Sequence, residues 1–416
     1  MKIAYLIPAC GVSGGVAVVC QHANRLLRRG HEVYLMTETH ERSIDWFPNQ
    51  KVPVINLNDY PEDMDALIAT GWSTSFNVAQ LPAQKKFYFV QSDETRFHPE
   101  GSIAQYLSAM SYLFNFNYFT EARWIQRWLT DNFMHEVELV PNGLDEDIFH
   151  PAKPLEAKKN KKPRVLLEGA IGLPYKGMRE AFAALSDLDV EVWCISSFGR
   201  PLPGWKCDRF FEQVPMTQMR MIYSSCDVLL KLSRVEGFFG PPMEMMACGG
   251  AVVVSKVSGY DEYIVDGYNA LVVEPNDVPA ARAAISRILS DNELKNNLIN
   301  NGLATASKWK WEPSINTLEN YLQAVLTEKR GRLNPIARQK VDRGISLIYT
   351  TVAAVIPLTY VPDPLSYFHE PNPQLIEPLD RIYYRLRRIS FLRQFAEFAS
   401  RIYKKLKYMK NKVLIR

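Results

Sequence analysis

The chain opens on an uninterrupted apolar run, Ile3-Ala4-Tyr5-Leu6-Ile7. Such a run, without polar alternation, suits a parallel strand buried on both faces. A glycine-bearing turn with Gly11, Gly14 and Gly15 follows. A helical pattern then covers 16–29, and Gly30 stands where a helix C-cap is expected. Residues 33–37, 66–70 and 87–90 read as further strands. Alternation of strand and helix predicts a parallel, doubly wound sheet.

The pattern breaks at 151–163, where Lys and Pro dominate and apolar spacing is lost. That composition reads as a linker. A second alternating series follows, with strands expected at 165–167, 190–195, 228–232, 251–255 and 270–273. No long repeat of solenoid type is present. The expected architecture is α/β, with two Rossmann-like doubly wound domains, 1–155 and 164–310, facing a cleft. Residues 311–330 read as one amphipathic helix that closes the second domain. From 332 to 416 a different pattern begins: an uncharged run over 345–361, a proline-rich piece, and a helical pattern of mixed aromatic and basic residues.

Charge sharpens the reading of that extension. The whole chain of 416 residues carries +4, but residues 381–416 hold twelve Lys/Arg and one acid, Glu397. The other 380 residues hold 37 basic and 44 acidic side chains. A basic helix with interleaved aromatics suits an anionic membrane surface, and nucleic acid is not the expected partner. The 345–361 run is marginal for spanning a bilayer and reads as a re-entrant anchor or a buried helix. Six scattered cysteines form no CxxC pair, which argues against a disulfide framework or a zinc site and fits a reducing compartment. No signal peptide is read before the first strand. The expected location is cytoplasmic, peripheral at the inner face of the plasma membrane.

The densest chemistry lies in Glu236-Gly-Phe-Phe-Gly-Pro-Pro-Met-Glu244. Two carboxylates eight positions apart flank a glycine-rich turn and the start of a small-residue helix. A helix N-terminus attracts anions, and carboxylates on the loop and in the first helical turn can accept hydrogen bonds from vicinal hydroxyls. That combination suits a diphosphate joined to two sugar rings. Spacing alone also admits a capped helix with two surface glutamates. A second segment, Glu168-Gly169 to Lys176-Gly177, places a lysine after a tight turn, where it can neutralise phosphate charge. Gly14 and Gly15 allow close backbone approach at the first strand-to-helix turn. Gln91-Ser92-Asp93-Glu94 follows a strand end, where open α/β sheets place ligands.

Taken together these segments resemble family 4 of the retaining glycosyltransferases, which have the GT-B fold. The resemblance covers roughly residues 1–328 and is densest at 225–275. It continues past Glu244 through Ala247-Cys248-Gly249-Gly250, Gly259, Glu262, Asp266-Gly267 and Asn269-Ala270-Leu271. It implies that Glu236 contacts the donor sugar and Glu244 the ribose hydroxyls. The backbone of Gly237, Phe238, Phe239 and Gly240 would lie against sugar and diphosphate, with Gly14, Gly15 and Gly169 also on the donor side. Lys176 would neutralise the leaving diphosphate. Relatives usually carry an arginine five positions before that lysine; here Ile171 stands there, so Lys231 or Arg234 is the candidate second charge. Many relatives have a histidine where this chain has Gln91, which leaves Asp93 or Glu94 to bind acceptor hydroxyls, with Asp93 the catalytic candidate. The same segment is similar to rhamnosyltransferase-like members. Tyr118 to Glu121 and Val140 to Asp145 also match, the latter as the hinge turn that ends the first domain.

The implied reaction moves a sugar from a nucleoside diphosphate sugar to a glycan or lipid-linked acceptor in cell-surface polysaccharide biosynthesis, with retention at the anomeric carbon. No metal and no cofactor beyond the donor are expected. The missing arginine and histidine also admit a degenerate GT-B membrane scaffold, and the fold admits a sugar phosphorylase or epimerase.

Overall fold

The computed structural model describes residues 1–328, apart from 38, 40, 62 and 159–161, together with 342, 344 and 345. The expected extension at 332–416, including the 345–361 run and the basic 381–416 segment, otherwise lies outside the described residues.

The first sheet has seven parallel strands. They are β1 (Lys2–Ile7), β2 (Glu32–Thr37), β3 (Val54–Asn56), β4 (Ala66–Ala69), β5 (Lys85–Val90), β6 (Asn117–Thr120) and β7 (Val137–Leu139). Their order is β3-β2-β1-β4-β5-β6-β7. Residues along β1 alternate between two cores: Ile3, Tyr5 and Ile7 face one, and Ala4 and Leu6 the other. Helices therefore cover both faces, which explains the continuous apolar run. Helix α1 (Gly14–Arg28) packs on the first face. Helices α2 (Trp72–Gln80), α3 (Ile103–Ser111) and α4 (Arg123–Phe133) pack on the second.

The second sheet repeats the plan with β8 (Arg164–Glu168), β9 (Glu191–Ser196), β10 (Arg209–Glu212), β11 (Val228–Lys231), β12 (Ala251–Ser255) and β13 (Leu271–Val273). The order is β10-β9-β8-β11-β12-β13, all parallel. Its helices are α5 (Met178–Leu185), α6 (Met216–Tyr223), α7 (Gly240–Ala247), α8 (Val278–Ser290) and α9 (Asn292–Ala306). Strand order reverses between β1 and β4 in one sheet and between β8 and β11 in the other. Open α/β sheets bind ligands beyond the strand ends at such points.

The chain crosses between the sheets twice, and the crossings touch. Leu144 pairs with Lys310 as an isolated bridge, and the Leu144 N–H donates to the Trp309 carbonyl at 3.0 Å. After the second crossing α10 (Trp311–Thr327) returns to the first sheet. Trp311, Ile315, Leu318, Leu322 and Val325 join the core that contains Tyr5, Val19 and Phe89. This corrects the expectation that 311–330 closes the second domain. An amphipathic stripe identifies a face to be buried but not its partner. Arg29 adds an ion pair to Glu319 at 2.6 Å, and the His31 ring a hydrogen bond to the same carboxylate at 2.6 Å.

Candidate active site

The strand ends at the second switch point supply the charged groups. The turn after β8 carries Pro174-Tyr175-Lys176 in a single 3-10 turn, ended by Gly177 at φ 62°. A Cβ at Gly177 would fall 1.8 Å from the Leu232 carbonyl oxygen, so only glycine fits this left-handed position. The turn aims the Lys176 ammonium at Glu236, and both carboxylate oxygens accept from it at 2.9 Å. Lys231, the last residue of β11, lies beneath. Its Nζ donates to Glu168 Oε2 at 2.6 Å and stands 3.8 Å from Glu236 Oε1. Burial works against ionisation of Glu236, but Lys176 and Lys231 outweigh it and hold the carboxyl below its ordinary value.

Of the two candidates for a second charge, Lys231 is the one beside Glu236. Arg234 instead ties down the lysine-bearing turn: it donates to the Pro174 carbonyl at 2.6 Å, to Glu180 at 2.6 Å and to Asn276 at 2.5 Å.

Pro241 and Pro242 sit in the first turn of α7, where their missing N–H groups cost nothing. Because α7 begins at Gly240, Glu244 lies one turn deeper than the expected first helical turn. Its Oε2 accepts from the Tyr223 hydroxyl at 2.9 Å. Burial, reinforced by the nearby charge of Glu168, pushes the Glu244 carboxyl up to about 7.

The loop from 237 to 239 is engaged by the first domain. The Phe238 N–H donates to Glu121 Oε1 at 3.0 Å, and the Gly237 carbonyl accepts from Trp124 Nε1 at 2.9 Å. A Cβ at Gly237 would fall 1.8 Å from the Gln91 carbonyl oxygen. Phe239 is fully buried, and its carbonyl accepts from the Tyr263 hydroxyl. At Gly237 and Phe238 this backbone is bonded across the cleft to Trp124 and Glu121. Glu262 accepts from the Trp124 N–H at 3.2 Å, Phe97 stacks on Tyr175 at 5.2 Å, and Arg96 donates to Ser258 at 2.7 Å. The cleft is closed at this edge.

Three expected residues fall elsewhere. Asp93 caps the short turn Glu94–Phe97, accepting from the Thr95 N–H at 3.1 Å and its hydroxyl at 2.5 Å; its described bonds stay within that turn. Glu94 is buried and accepts from the Trp72 N–H at 2.9 Å, which caps α2. Neither carboxylate is brought to Glu236. Gly169 packs under Met178, 2.9 Å from a would-be Cβ, and its N–H donates to the Ile195 carbonyl at 3.1 Å. Gly14 opens α1 with open space around it, whereas Gly15 faces the Gln91 carboxamide, 3.0 Å from a would-be Cβ.

Sequence reasoning missed Glu121 as a site residue. Its buried carboxylate joins Phe238 to Asn142, which donates at 2.8 Å. Burial pushes Glu121 up to about 7. Trp124 was missed as well: like Glu121, it meets its partner more than a hundred positions away. Tyr223 was also missed, although Glu244 is only 21 positions on, because no local spacing marks a bond from the end of α6 into α7. A cavity of about 490 Å³ lies at the hinge instead, lined by Gln21, Arg25, Asp145, Lys310 and Glu312 among others. Its mixed charges pair with one another, as Arg25 does with Asp145 at 3.6 Å, and it shares no residue with the Glu236 cluster. Among the described residues no group of three or more His, Cys, Asp or Glu could hold a metal ion, and no helix is long and apolar enough to cross a membrane.

Comparison with known proteins agrees with this fold. Residues 208–305 match the family model described as Glycosyl transferases group 1. An uncharacterized glycosyltransferase of Methanocaldococcus jannaschii is 25% identical over 205 residues, 47% of this chain and 55% of that protein. The O-antigen chain mannosyltransferase B of Escherichia coli is 35% identical over 109 residues, 26% of this chain and 28% of its own length. This chain thus spans about half of the first relative and about a quarter of the second. The crystal structure of Anabaena HepE in complex with UDP-glucose superposes with a TM-score of 0.64 at 14% identity, covering 78% of this chain and all of that one. The chain has the GT-B fold, and its residues 208–305 are similar to the glycosyl transferases group 1 family.

Proposed function

We propose that this protein transfers a glycosyl unit from a nucleoside diphosphate sugar to a glycan or lipid-linked acceptor in surface polysaccharide assembly, with retention at the anomeric carbon. The observation that carries the reading is the Glu236 carboxylate held by Lys176 at 2.9 Å, at a strand-order switch point facing the other domain. Departure of a nucleoside diphosphate builds negative charge on the leaving oxygens, and an ammonium beside them offsets it. Lys176, the more exposed of the two lysines on Glu236, is the group for this role. Glu236 would orient the donor sugar and Glu244 the ribose through their hydroxyls. No Asp93 step is included, because that carboxylate is used as a cap. The relative named for O-antigen mannosyl transfer supports the polysaccharide context.

The test is a thermal-shift panel of nucleoside diphosphates and nucleotide sugars on the full chain, beside Glu244→Ala and Lys176→Ala. A ligand that binds the native state raises its melting temperature. Stabilisation by one nucleotide class, lost in both variants, supports the reading and names the donor base. Unchanged melting with every member favours the scaffold. Metal independence belongs to the same reading and is tested by turnover in excess EDTA. Peripheral membrane attachment through 381–416 is tested by sedimentation with anionic liposomes; equal binding after deletion of 332–416 overturns it.

A further inference from the structure

Glu168 ends β8 and Lys231 ends β11, on adjacent strands at the switch point. Lys231 is 3% exposed, and its ammonium donates to Glu168 Oε2 at 2.6 Å and to the Glu168 carbonyl at 2.9 Å. With Glu236 and Lys176 they form a line of alternating charge, Glu168, Lys231, Glu236, Lys176, with side-chain exposures of 20, 3, 10 and 22%. The rest of β11, Val228-Leu229-Leu230, is apolar, and a fully buried ammonium at its end is costly unless paired. A fourth apolar residue would continue the strand at less cost, so the charge calls for a reason.

On the donor-site reading above, the diphosphate draws Lys176 outward and removes one of the two cations on Glu236. We propose that Lys231, anchored by Glu168, is a positioning residue: the fixed counter-ion that keeps Glu236 ionised and in place while Lys176 is engaged by the donor. The other titratable groups facing Glu236 cannot do this. Glu121, which follows β6, and Glu244 are acids, and Tyr175 and Tyr263 are neutral. Lys231 itself keeps its proton: burial disfavours the ammonium, but Glu168 and Glu236 outweigh it.

The test uses the full chain with Lys176→Met as a mimic of the withdrawn lysine. Carbon-13 NMR follows the Glu236 carboxyl through pH, assigned by its loss in Glu236→Gln. Adding Glu168→Leu and Lys231→Met removes the pair together and leaves no orphaned charge. The Glu236 titration is expected to move up by about one to three pH units. If the apolar pair does not fold, Glu168→Gln with Lys231→Gln keeps polar groups of similar size without the charges and is expected to give the same shift. An unmoved titration overturns the proposal. In a Lys176-containing background, the acidic limb of donor kcat/KM for UDP-glucose, GDP-mannose or dTDP-rhamnose is expected to rise in the same direction, and Lys231→Arg to restore it. Failure of all three donors to bind or react with the wild type overturns the donor-site reading, and the NMR titration still decides the role of Lys231.

Discussion

Glu121, just after strand β6 of the first sheet, accepts a hydrogen bond from the Phe238 backbone N–H of the second domain at 3.0 Å. The two residues are 117 positions apart in the chain. This bond ties closure of the cleft to the conformation of the loop that follows Glu236. The same carboxylate accepts from Asn142 beside the hinge, so one buried acid touches both the loop and the crossing.

Glu121→Ala leaves the buried Asn142 amide and the part-buried Phe238 N–H without their acceptor, at a cost of up to about 1–3 kcal/mol each. Hydrogen exchange at the Phe238 amide is expected to speed up by at least about tenfold, and donor kcat/KM to fall comparably. Glu121→Gln keeps an acceptor for Phe238 and is expected to lose less. Equal exchange in wild type and Glu121→Ala would show that the bond is not formed in solution.

Gly237→Ala tests the closed cleft by sterics. The new methyl falls 1.8 Å from the Gln91 backbone oxygen, which has no rotamer by which to retreat. The domains must separate, and the Trp124 bond to the Gly237 carbonyl must lengthen. Small-angle scattering is expected to show a larger radius of gyration. Turnover is expected to fall roughly a hundredfold, the scale associated with about 1 Å of misplacement.

Stability is expected to fall as pH rises through neutrality. Burial pushes Glu94 up to about 8 and Glu121 and Glu244 up to about 7, from an ordinary 4.5. A carboxyl whose folded value is raised favours the folded chain while it is protonated. That contribution is complete below pH 4.5 and is lost between 4.5 and about 8. Acids held low, such as Glu236 and Glu319, act in the opposite sense, only below their ordinary range. Melting curves from pH 5 to 8 are expected to show the decline, and Glu94→Gln, which keeps an acceptor for the Trp72 N–H, to flatten it. A flat wild-type profile would remove these assignments.

The return of α10 makes the first domain depend on the C-terminal helix. Leu318 is fully buried in the core with Tyr5 and Phe89. Leu318→Ala is expected to cost about 2–5 kcal/mol in urea unfolding of the first domain. Glu312→Ala, at an exposed pair with Arg29, is expected to cost under about 1 kcal/mol. Destabilisation confined to the second domain would contradict this packing.

The amino-acid sequence by itself determined the two parallel sheets, since β1, β8, β11 and β12 are apolar runs whose local pattern already says that both faces are buried. The short, more polar β3, β7 and β10 were not legible, because edge strands of three or four residues carry little periodic signal. Glu236 and Glu244 were legible together because one continuous loop and helix start hold them, and Lys176-Gly177 was legible separately as a tight turn after β8; that Lys176 reaches Glu236, 60 positions away, was not. Tertiary structure alone decided what faces them. It turned Asp93 and Glu94 into caps and placed Gly169 under Met178. It also placed Lys231, and not Arg234, beside Glu236 and brought Glu121 and Trp124 to the loop after Glu236. Periodicity records which face of an element is buried, whereas partners more than a hundred residues apart are chosen by how the two sheets and the hinge pack, and no local spacing encodes that choice.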